Sequence, residues 1–176
     1  MRITGGVYGG RRIRCPPGII RPAMDRMRES VFAILGNLRG LSFLDLYSGS
    51  GIVGIEAASR GAEPVVFVEL DRKKLPIMRE NIGIVESGVK IVPMSAERYL
   101  KSIKEKFDIT FADPPFSLQS KERILDLSRD AIADDGLLLI HHPSHEAMPE
   151  ETQFLVLRDL RAYGGSTVSF YGNKTY

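Results

Sequence analysis

The amino-acid sequence predicts a doubly wound α/β fold, in which helices cover both faces of a mostly parallel sheet. Three observations predict it. Five short apolar runs alternate with helical segments between residues 41 and 142, a glycine-rich turn follows the first run, and an acidic residue ends the second. Parallel strands joined by helices form such sheets through right-handed crossovers. The 176 residues are enough for about one domain with its own core.

The first part of the chain is expected to precede this sheet. Residues 1–22 contain two short alternating segments around Gly5-Gly6 and Gly9-Gly10, which predict a small β-hairpin. Residues 25–36 then repeat apolar side chains at helical spacing up to a final glycine, which predicts a helix. We therefore divide the chain into a basic N-terminal hairpin extension at 1–22 and a main domain at 23–176.

The remaining elements alternate in the order that the fold requires. Apolar, β-branched runs predict strands, and amphipathic segments predict helices. The predicted strands are 41–46, 64–70, 89–94, 107–113 and 137–142, and the predicted helices are 52–60, 72–83, 95–104 and 118–131. Two last strands, 151–160 and 166–171, follow with a Gly-Gly turn and no helix between them, so we expect a C-terminal antiparallel hairpin.

Composition restricts the kind of protein. Cys15 is the single cysteine, so no internal disulfide can form, which is typical of a reducing compartment. No apolar run approaches the roughly 18 residues of a membrane span, and we expect a cytoplasmic monomer with no membrane partner. The histidines at positions 141, 142 and 145 lack the spacing of a zinc site, so we expect no metal.

Positive charge is concentrated near the beginning of the chain. Residues 1–39 hold eight arginines, no lysine and two acids, whereas the whole chain has a net charge of only +2. Arginine is suited to bidentate phosphate contacts, so nucleic acid is a candidate partner, although a solvated basic face explains the charge equally well. The arginines that we expect to reach RNA phosphates are Arg11, Arg12, Arg14, Arg21, Arg26 and Arg28.

The glycine-rich turn indicates a cofactor site. Gly49, Gly51 and Gly54 form a GxGxxG pattern after the first strand. Glu69 ends the next strand 20 residues after the first of these glycines, where a carboxylate can accept both ribose hydroxyls. Asp45 precedes the glycines, and no basic residue follows it closely. Such an acid would repel a pyrophosphate but attract the sulfonium and ammonium of S-adenosylmethionine, which is therefore favoured over a dinucleotide.

The FADPPF stretch at residues 111–116 ends the fourth strand, beside the predicted cofactor turn. Consecutive prolines have a fixed φ and no N–H, so the chain leaves the sheet rigidly and holds Asp113 in place. The Asp113 carboxylate and the Pro114 carbonyl could accept both N–H bonds of an exocyclic base amine and aim its lone pair at a methyl group. Phe116 could stack on the base. This pattern predicts methyl transfer to a planar amine.

The chain also resembles a known family, the bacterial RsmD family of small-subunit (16S) rRNA guanine-N2 methyltransferases. The resemblance lies in RPAMDRMRESVFAIL, FLDLYSGSGIVGIEAASRGA, VFVELDRKKL, FADPPF and RAYGGSTVSFY. It implies a Rossmann-like class I methyltransferase with a seven-stranded sheet, which uses S-adenosylmethionine to methylate the N2 amine of one guanine in assembling small subunits. The site residues that it implies are Asp45, Ser48, Gly49, Gly51, Glu69, Ser95 and Ala96 for the cofactor, and Asp113, Pro114 and Phe116 for catalysis.

The chain departs from the family pattern at two places. Ala23-Met24 replaces a usual pair of threonines, and Ser95-Ala96 replaces a usual Asp-Ala pair. Adenine recognition at the second place would then rest on a hydroxyl or a backbone amide. Three other functions stay open: methylation of adenine N6 or of a protein glutamine, NAD(P)-dependent oxidoreduction, and RNA binding by an assembly factor that has lost catalysis.

Overall fold

A computed structural model of the chain describes residues 1–15, 22–119 and 121–174. Its helices are α1 (Pro22–Leu35), α2 (Ile52–Ser59), α3 (Leu75–Ile82), α4 (Ala96–Ser102) and α5 (Glu122–Leu127), and a short 3₁₀ helix follows at Arg129–Ala131. Its strands are β1 (Phe43–Leu46), β2 (Val65–Val68), β3 (Val89–Val92), β4 (Phe107–Ala112), β5 (Ile132–Pro143), β6 (Leu155–Tyr163) and β7 (Ser166–Asn173). In these ranges, no helix has both the length and the apolarity to cross a bilayer.

The strands form a seven-stranded sheet in the order β3-β2-β1-β4-β5-β7-β6. Neighbouring strands from β3 to β5 run parallel, while β7 pairs antiparallel with both β5 and β6. The predicted doubly wound sheet and its C-terminal hairpin are confirmed. The strand order reverses between β1 and β4, so the carboxyl ends of these strands border the crevice in which such folds bind ligands.

Strand β5 begins five residues before its predicted start. Its pairing with β4 shifts between Phe107 and Ile109. Gly136 lies at this shift, and a Cβ there would come within 2.8 Å of the Phe107 carbonyl oxygen. Glycine therefore allows the two backbones to approach. The apolar pattern does not reveal this part of the strand, because Asp134 and Asp135 are exposed to solvent.

Helices cover both faces of the sheet because side chains alternate along each strand. On one face, Phe43 and Phe67 pack with apolar residues of α1, α2 and α3. On the other face, Leu44 and Val68 pack with apolar residues of α4 and α5. Each fully buried side chain of this size contributes about 1.5–3 kcal/mol to stability. The two layers thus hold the ends of the strands, and the site at those ends, in fixed positions.

The N-terminal segment, residues 1–15, packs onto α2. An antiparallel bridge joins Arg2 to Arg12, as a hairpin requires, and Ile3 is fully buried in the core layer that contains α1 and α2. Glu56 of α2, which is 0% exposed, accepts hydrogen bonds from the N–H and hydroxyl of Thr4 at 2.8 and 2.7 Å. These 15 residues therefore share one core with the sheet. The rest of the predicted extension, up to residue 21, lies outside the described residues.

Candidate active site

Four titratable side chains lie on one face of the sheet, where neighbouring strands end. Glu69 and Asp113 follow the strands on either side of Asp45, one pleat closer to the carboxyl ends. His141 lies on β5 beside Asp113, one residue after the last pair between β4 and β5. Because side chains alternate along strands, all four are directed to the face that α1, α2 and α3 cover.

These side chains line a cavity of about 810 Å³, a volume typical of small-molecule sites. Its other walls come from the glycine turn, the end of β2, the start of α4 and the N-terminal segment. The cavity brings together all but one of the predicted cofactor and catalytic residues. Those lining it are Asp45, Ser48, Gly49, Glu69, Ser95, Ala96, Asp113, Pro114 and Phe116.

The exception is Gly51, which belongs to the glycine turn but does not line the cavity. Gly49 and Gly51 have φ angles of 56° and 81°, in the left-handed region that glycine adopts at little cost. A Cβ on Gly54 would lie 2.3 Å from a ring carbon of Phe67. The third glycine of the pattern therefore allows α2 to pack closely on β2, as in other glycine-rich cofactor turns.

Asp45 is a buried carboxylate at the base of the cavity, with 1% of its surface exposed. Its Oδ2 accepts a hydrogen bond from the Gly54 N–H at 3.0 Å. Burial raises the pKa of Asp45 well above the ordinary value of 3.8; the Gly54 N–H lowers it, and the charges of Asp113 and Glu69 raise it further. A positive charge in the cavity would offset both the desolvation of Asp45 and its repulsion by Asp113 and Glu69. The three carboxylates therefore favour a cationic ligand.

Glu69 joins the glycine turn to the end of β2. Its Oε2 accepts the Gly49 N–H at 2.8 Å, and its Oε1 accepts the Asp71 N–H at 2.7 Å. The Lys74 ammonium lies 4.0 Å from Oε2. Each carboxylate oxygen can accept a second hydrogen bond, so Glu69 can still receive hydroxyl groups of a ligand.

Ser95 and Ala96 stand at the start of α4 and also line the cavity. The Ser95 hydroxyl caps this helix by accepting the Arg98 N–H at 3.2 Å, so it is already engaged within the protein. Beside them, the Tyr47 hydroxyl donates to Glu97 Oε1 at 2.7 Å. Burial and this carboxylate raise the pKa of Tyr47 far above its ordinary range. The Tyr47–Glu97 pair, which no sequence pattern indicated, connects the glycine turn to α4.

The predicted amine site is assembled at the end of β4. The Asp113 N–H donates to the Leu46 carbonyl at 3.3 Å, which ties the loop to β1. Asp113 Oδ1 lies 2.8 Å from His141 Nδ1, and the rings of Phe116 and His141 form an edge-to-face pair with centroids 5.2 Å apart. The Pro114 carbonyl accepts no hydrogen bond from the described residues. Asp113, Pro114 and Phe116 therefore lie together, with His141 as an unpredicted fourth member.

A buried lysine holds the loop that follows the prolines. Lys121 is 1% exposed. Its ammonium donates to the carbonyl oxygens of Phe116 and Leu118 at 3.2 and 2.7 Å, and to Glu146 Oε2 at 2.7 Å. Sequence patterns missed this role, because a lysine at the start of an amphipathic helix is typical of a solvated position.

The arginines predicted to contact RNA differ in their surroundings. Four of the six are exposed: Arg11, Arg12, Arg14 and Arg26. Arg21 lies outside the described residues. The prediction for Arg28 is wrong, because its side chain is 2% exposed and paired with Glu56 and Asp25. Its guanidinium also donates to the Arg2 carbonyl at 2.6 Å, so it stabilises the interior and cannot meet a phosphate.

The other two histidines lie apart from the cavity. His142 is directed to the opposite face of the sheet, with its Nε2 2.8 Å from the Ser169 hydroxyl, and His145 is exposed. Across the described ranges, no cluster of three or more His, Cys, Asp or Glu side chains could hold a metal ion.

Comparison with known proteins identifies the family. The protein-family model described as "Conserved hypothetical protein 95" matches residues 1–172. The chain belongs to this family. YlbH of Bacillus subtilis (strain 168) is 32% identical over 180 residues, 97% of this chain and 98% of the relative. The ribosomal RNA small subunit methyltransferase D of Escherichia coli (strain K12) is 32% identical over 155 residues, 85% of this chain and 78% of the relative.

A solved structure extends the comparison to the fold of the Conserved hypothetical protein 95 family. The structure of yhhF from Escherichia coli superposes with a TM-score of 0.88 at 29% identity, over 99% of this chain and 98% of that one. The resemblance to the RsmD family and the class I methyltransferase fold are confirmed.

The cavity of this family member fits the predicted cofactor. Its lining, as far as the structure describes it, has one lysine, Lys74, and no arginine, but five acidic residues: Asp45, Glu69, Asp71, Glu97 and Asp113. Val68, Leu70 and Ala96 supply apolar surface for a flat base. These groups fit a ribose-bearing cation, whereas a pyrophosphate would meet like charges.

Proposed function

We propose that this chain transfers a methyl group from S-adenosylmethionine to the N2 amine of a guanine in small-subunit (16S) rRNA during ribosome assembly. The position of Asp113 carries the proposal, because this carboxylate stands between the acidic cofactor wall and the aromatic ring of Phe116 in one cavity. The Escherichia coli relative is named as a small-subunit rRNA methyltransferase, which supports the same substrate class. Such a protein acts in the cytoplasm, and we expect it to work as a monomer.

The cofactor would be held by groups that the fold already places around the cavity. Asp45 faces its positive charges, Gly49 lets the backbone approach, and Glu69 accepts from the ribose hydroxyls. Ser48 supports this turn, because its hydroxyl donates to the Asp45 carbonyl at 2.7 Å. The base would lie near Ser95 and Ala96. When bound, S-adenosylmethionine supplies an electrophilic methyl group.

The catalytic residues act on the amine. An exocyclic amine is a weak nucleophile because its lone pair is delocalised into the ring. Hydrogen bonds from its two N–H groups to Asp113 Oδ2 and the Pro114 carbonyl would draw the nitrogen toward tetrahedral geometry and localise that pair. As the nitrogen gains a methyl group it loses one proton, which the Asp113 carboxylate accepts. Positioning, electrostatics and this proton transfer suffice for the step, and no covalent enzyme intermediate is needed.

The first experiment removes the carboxylate. Asp113→Ala should lower methyl transfer from labelled S-adenosylmethionine to undermethylated small subunits by about 10²–10³-fold, by analogy with lost electrostatic donors. Its affinity for S-adenosylhomocysteine should stay within the range of the control, Asp126→Ala, which removes an exposed acid on α5. Unchanged transfer by the Asp113 variant would refute the mechanism.

The second experiment identifies the product. Mass-spectrometric mapping of rRNA from cells with and without the protein should reveal one N2-methylguanine that depends on it. Finding an N6-methyladenine instead would mean that the same chemistry acts on adenine, the alternative substrate. A methylated protein glutamine with no change in rRNA would exclude an RNA substrate.

The exposed arginines would bind the RNA phosphates. Cys15 and Met24 line the same cavity, so the N-terminal segment and α1 border its mouth. The double variant Arg11→Ala/Arg12→Ala should weaken RNA binding and reduce its salt dependence, with cofactor affinity unchanged. The matched control, Lys104→Ala/Arg123→Ala, removes two exposed positive charges from the side of α4 and α5. Equal weakening by both variants would indicate a non-specific effect of net charge.

A further inference from the structure

We infer that His141 is a positioning residue that orients both Asp113 and Phe116 for the transfer step, an inference that rests on the proposed function. His141 would touch neither the cofactor nor the amine. It would fix the carboxylate through its ring nitrogen and the aromatic platform through ring packing. Nothing in the sequence pattern or in the names of the relatives assigns a role to this position.

The contact with Asp113 has a defined direction. An ionised carboxylate only accepts hydrogen bonds, so His141 Nδ1 donates its N–H to Oδ1 over 2.8 Å. Oδ2 accepts no hydrogen bond from the described residues. The pairing therefore divides the two oxygens between two tasks: Oδ1 holds the rotamer of Asp113, and Oδ2 is left for an N–H of the substrate amine.

The contact with Phe116 uses a different part of the same side chain. The two rings lie with centroids 5.2 Å apart and an interplanar angle of 64°, a favourable edge-to-face arrangement. Phe116 follows two consecutive prolines and is partly exposed to the cavity. This contact would restrict the orientation of the Phe116 ring to one in which a base can stack.

The burial of His141 argues against a purely structural role. The side chain is 4% exposed, and its Nε2 has no hydrogen-bond partner among the described residues. Leaving a buried polar atom unpaired costs stability, so an apolar side chain would serve packing better at this position. His142, its neighbour on the strand, differs because both of its ring nitrogens have partners. Nδ1 contacts the Pro143 carbonyl, and Nε2 contacts the Ser169 hydroxyl.

Two substitutions separate the two contacts. His141→Phe retains a ring for Phe116 but removes the donor, and His141→Asn retains a donor near the Nδ1 position but removes the ring. For His141→Phe, we expect kcat to fall about 10- to 100-fold with KM for RNA unchanged, because a displaced carboxylate affects the reacting geometry. For His141→Asn, we expect nearly normal kcat and a KM for RNA raised about 3- to 10-fold, because the stacking platform is loosened.

The control is His142→Leu, which alters an equally buried histidine on the opposite face of the sheet. This variant should lower Tm at least as much as the two variants of His141, since it loses two hydrogen bonds, but should retain wild-type kcat and KM. Affinity for S-adenosylhomocysteine should be the same in all of them.

The kinetic pattern decides the outcome. Normal kcat in His141→Phe, or losses in both His141 variants that simply follow their loss of Tm, would overturn the inference. Its failure can be told from failure of the proposed function, because Asp113→Ala measured on the same RNA tests the latter directly. A large loss in Asp113→Ala together with a fully active His141→Phe would leave the methyl transfer standing and remove only the positioning role.

Discussion

Replacing Asp45 by asparagine should stabilise the ligand-free protein and weaken its binding of S-adenosylmethionine. Asn has the same shape as Asp, and its carbonyl oxygen can still accept the Gly54 N–H that now reaches Oδ2 at 3.0 Å. The substitution removes a buried carboxyl group whose pKa is raised by burial and by the charges of Asp113 and Glu69. The negative charge of this carboxyl group is what a cationic ligand would meet.

The stability gain can be estimated from the burial. An unsatisfied buried polar group costs about 1–3 kcal/mol and a charged one costs more, so Asp45→Asn should recover at least about 1 kcal/mol at pH 7. For a chain of this length, each kcal/mol corresponds to about 2–4 °C in Tm. Because the folded-state pKa of Asp45 is raised, its favourable contribution is complete below the ordinary value of 3.8 and is lost as the pH rises toward the folded value. The advantage of the variant should therefore be small near pH 4 and grow toward neutrality.

The binding loss follows from electrostatics. Two unit charges about 4 Å apart interact by about 4 kcal/mol at an effective dielectric constant of 20, and relief of desolvation cancels part of this. We expect S-adenosylmethionine to bind about 10- to 100-fold more weakly, or about 1.4–2.7 kcal/mol. S-adenosylhomocysteine lacks the sulfonium charge and should lose less affinity.

Thermal unfolding and calorimetry test both parts together. Ligand-free Asp45→Asn should unfold at higher temperature than the wild type, yet should be stabilised less by S-adenosylmethionine. Asp126→Asn, an exposed control, should change neither quantity. A lower Tm for the ligand-free Asp45 variant, or an unchanged affinity for S-adenosylmethionine, would refute the view that the acidic cluster selects a cation.

Two further substitutions test the supports of the site. Gly54→Ala should lower Tm by about 2–10 °C, since a Cβ 2.3 Å from the Phe67 ring forces α2 away from β2, while Gly165→Ala, which meets no atom within 4 Å, should leave Tm unchanged; a normal Tm for Gly54→Ala would disprove the packing role. Lys121→Met should destabilise the fold by about 3 kcal/mol, because Glu146 and two loop carbonyls lose their donor. It should lower kcat but change KM for the cofactor little. A wild-type kcat in that variant would show that catalysis does not depend on the hydrogen bonds from Lys121 to the loop.

Much of the candidate site could be predicted from the sequence, because its residues follow strands in short contiguous motifs. The glycine turn, Glu69 and Asp113 each stand next to an apolar run, and the carboxyl ends of parallel strands meet at one edge. The contacts of Lys121 and the Tyr47–Glu97 pair could not be predicted, because each joins segments whose approach depends on how the loops pack. His141 lies between these cases, since the pairing of β4 with β5 alone would place it beside Asp113.

The sequence by itself determined the strand and helix pattern, the family, and the acids and glycines that a cofactor site requires, since these depend on local periodicity and on residues within one βα unit. The tertiary structure decided which charges are accessible. Arg28 and Arg26 are two residues apart on α1, yet Arg28 is buried against Glu56, while Arg26 faces solvent. Burial depends on what packs against each side of a helix, and that partner here is α2, which lies far away in the sequence.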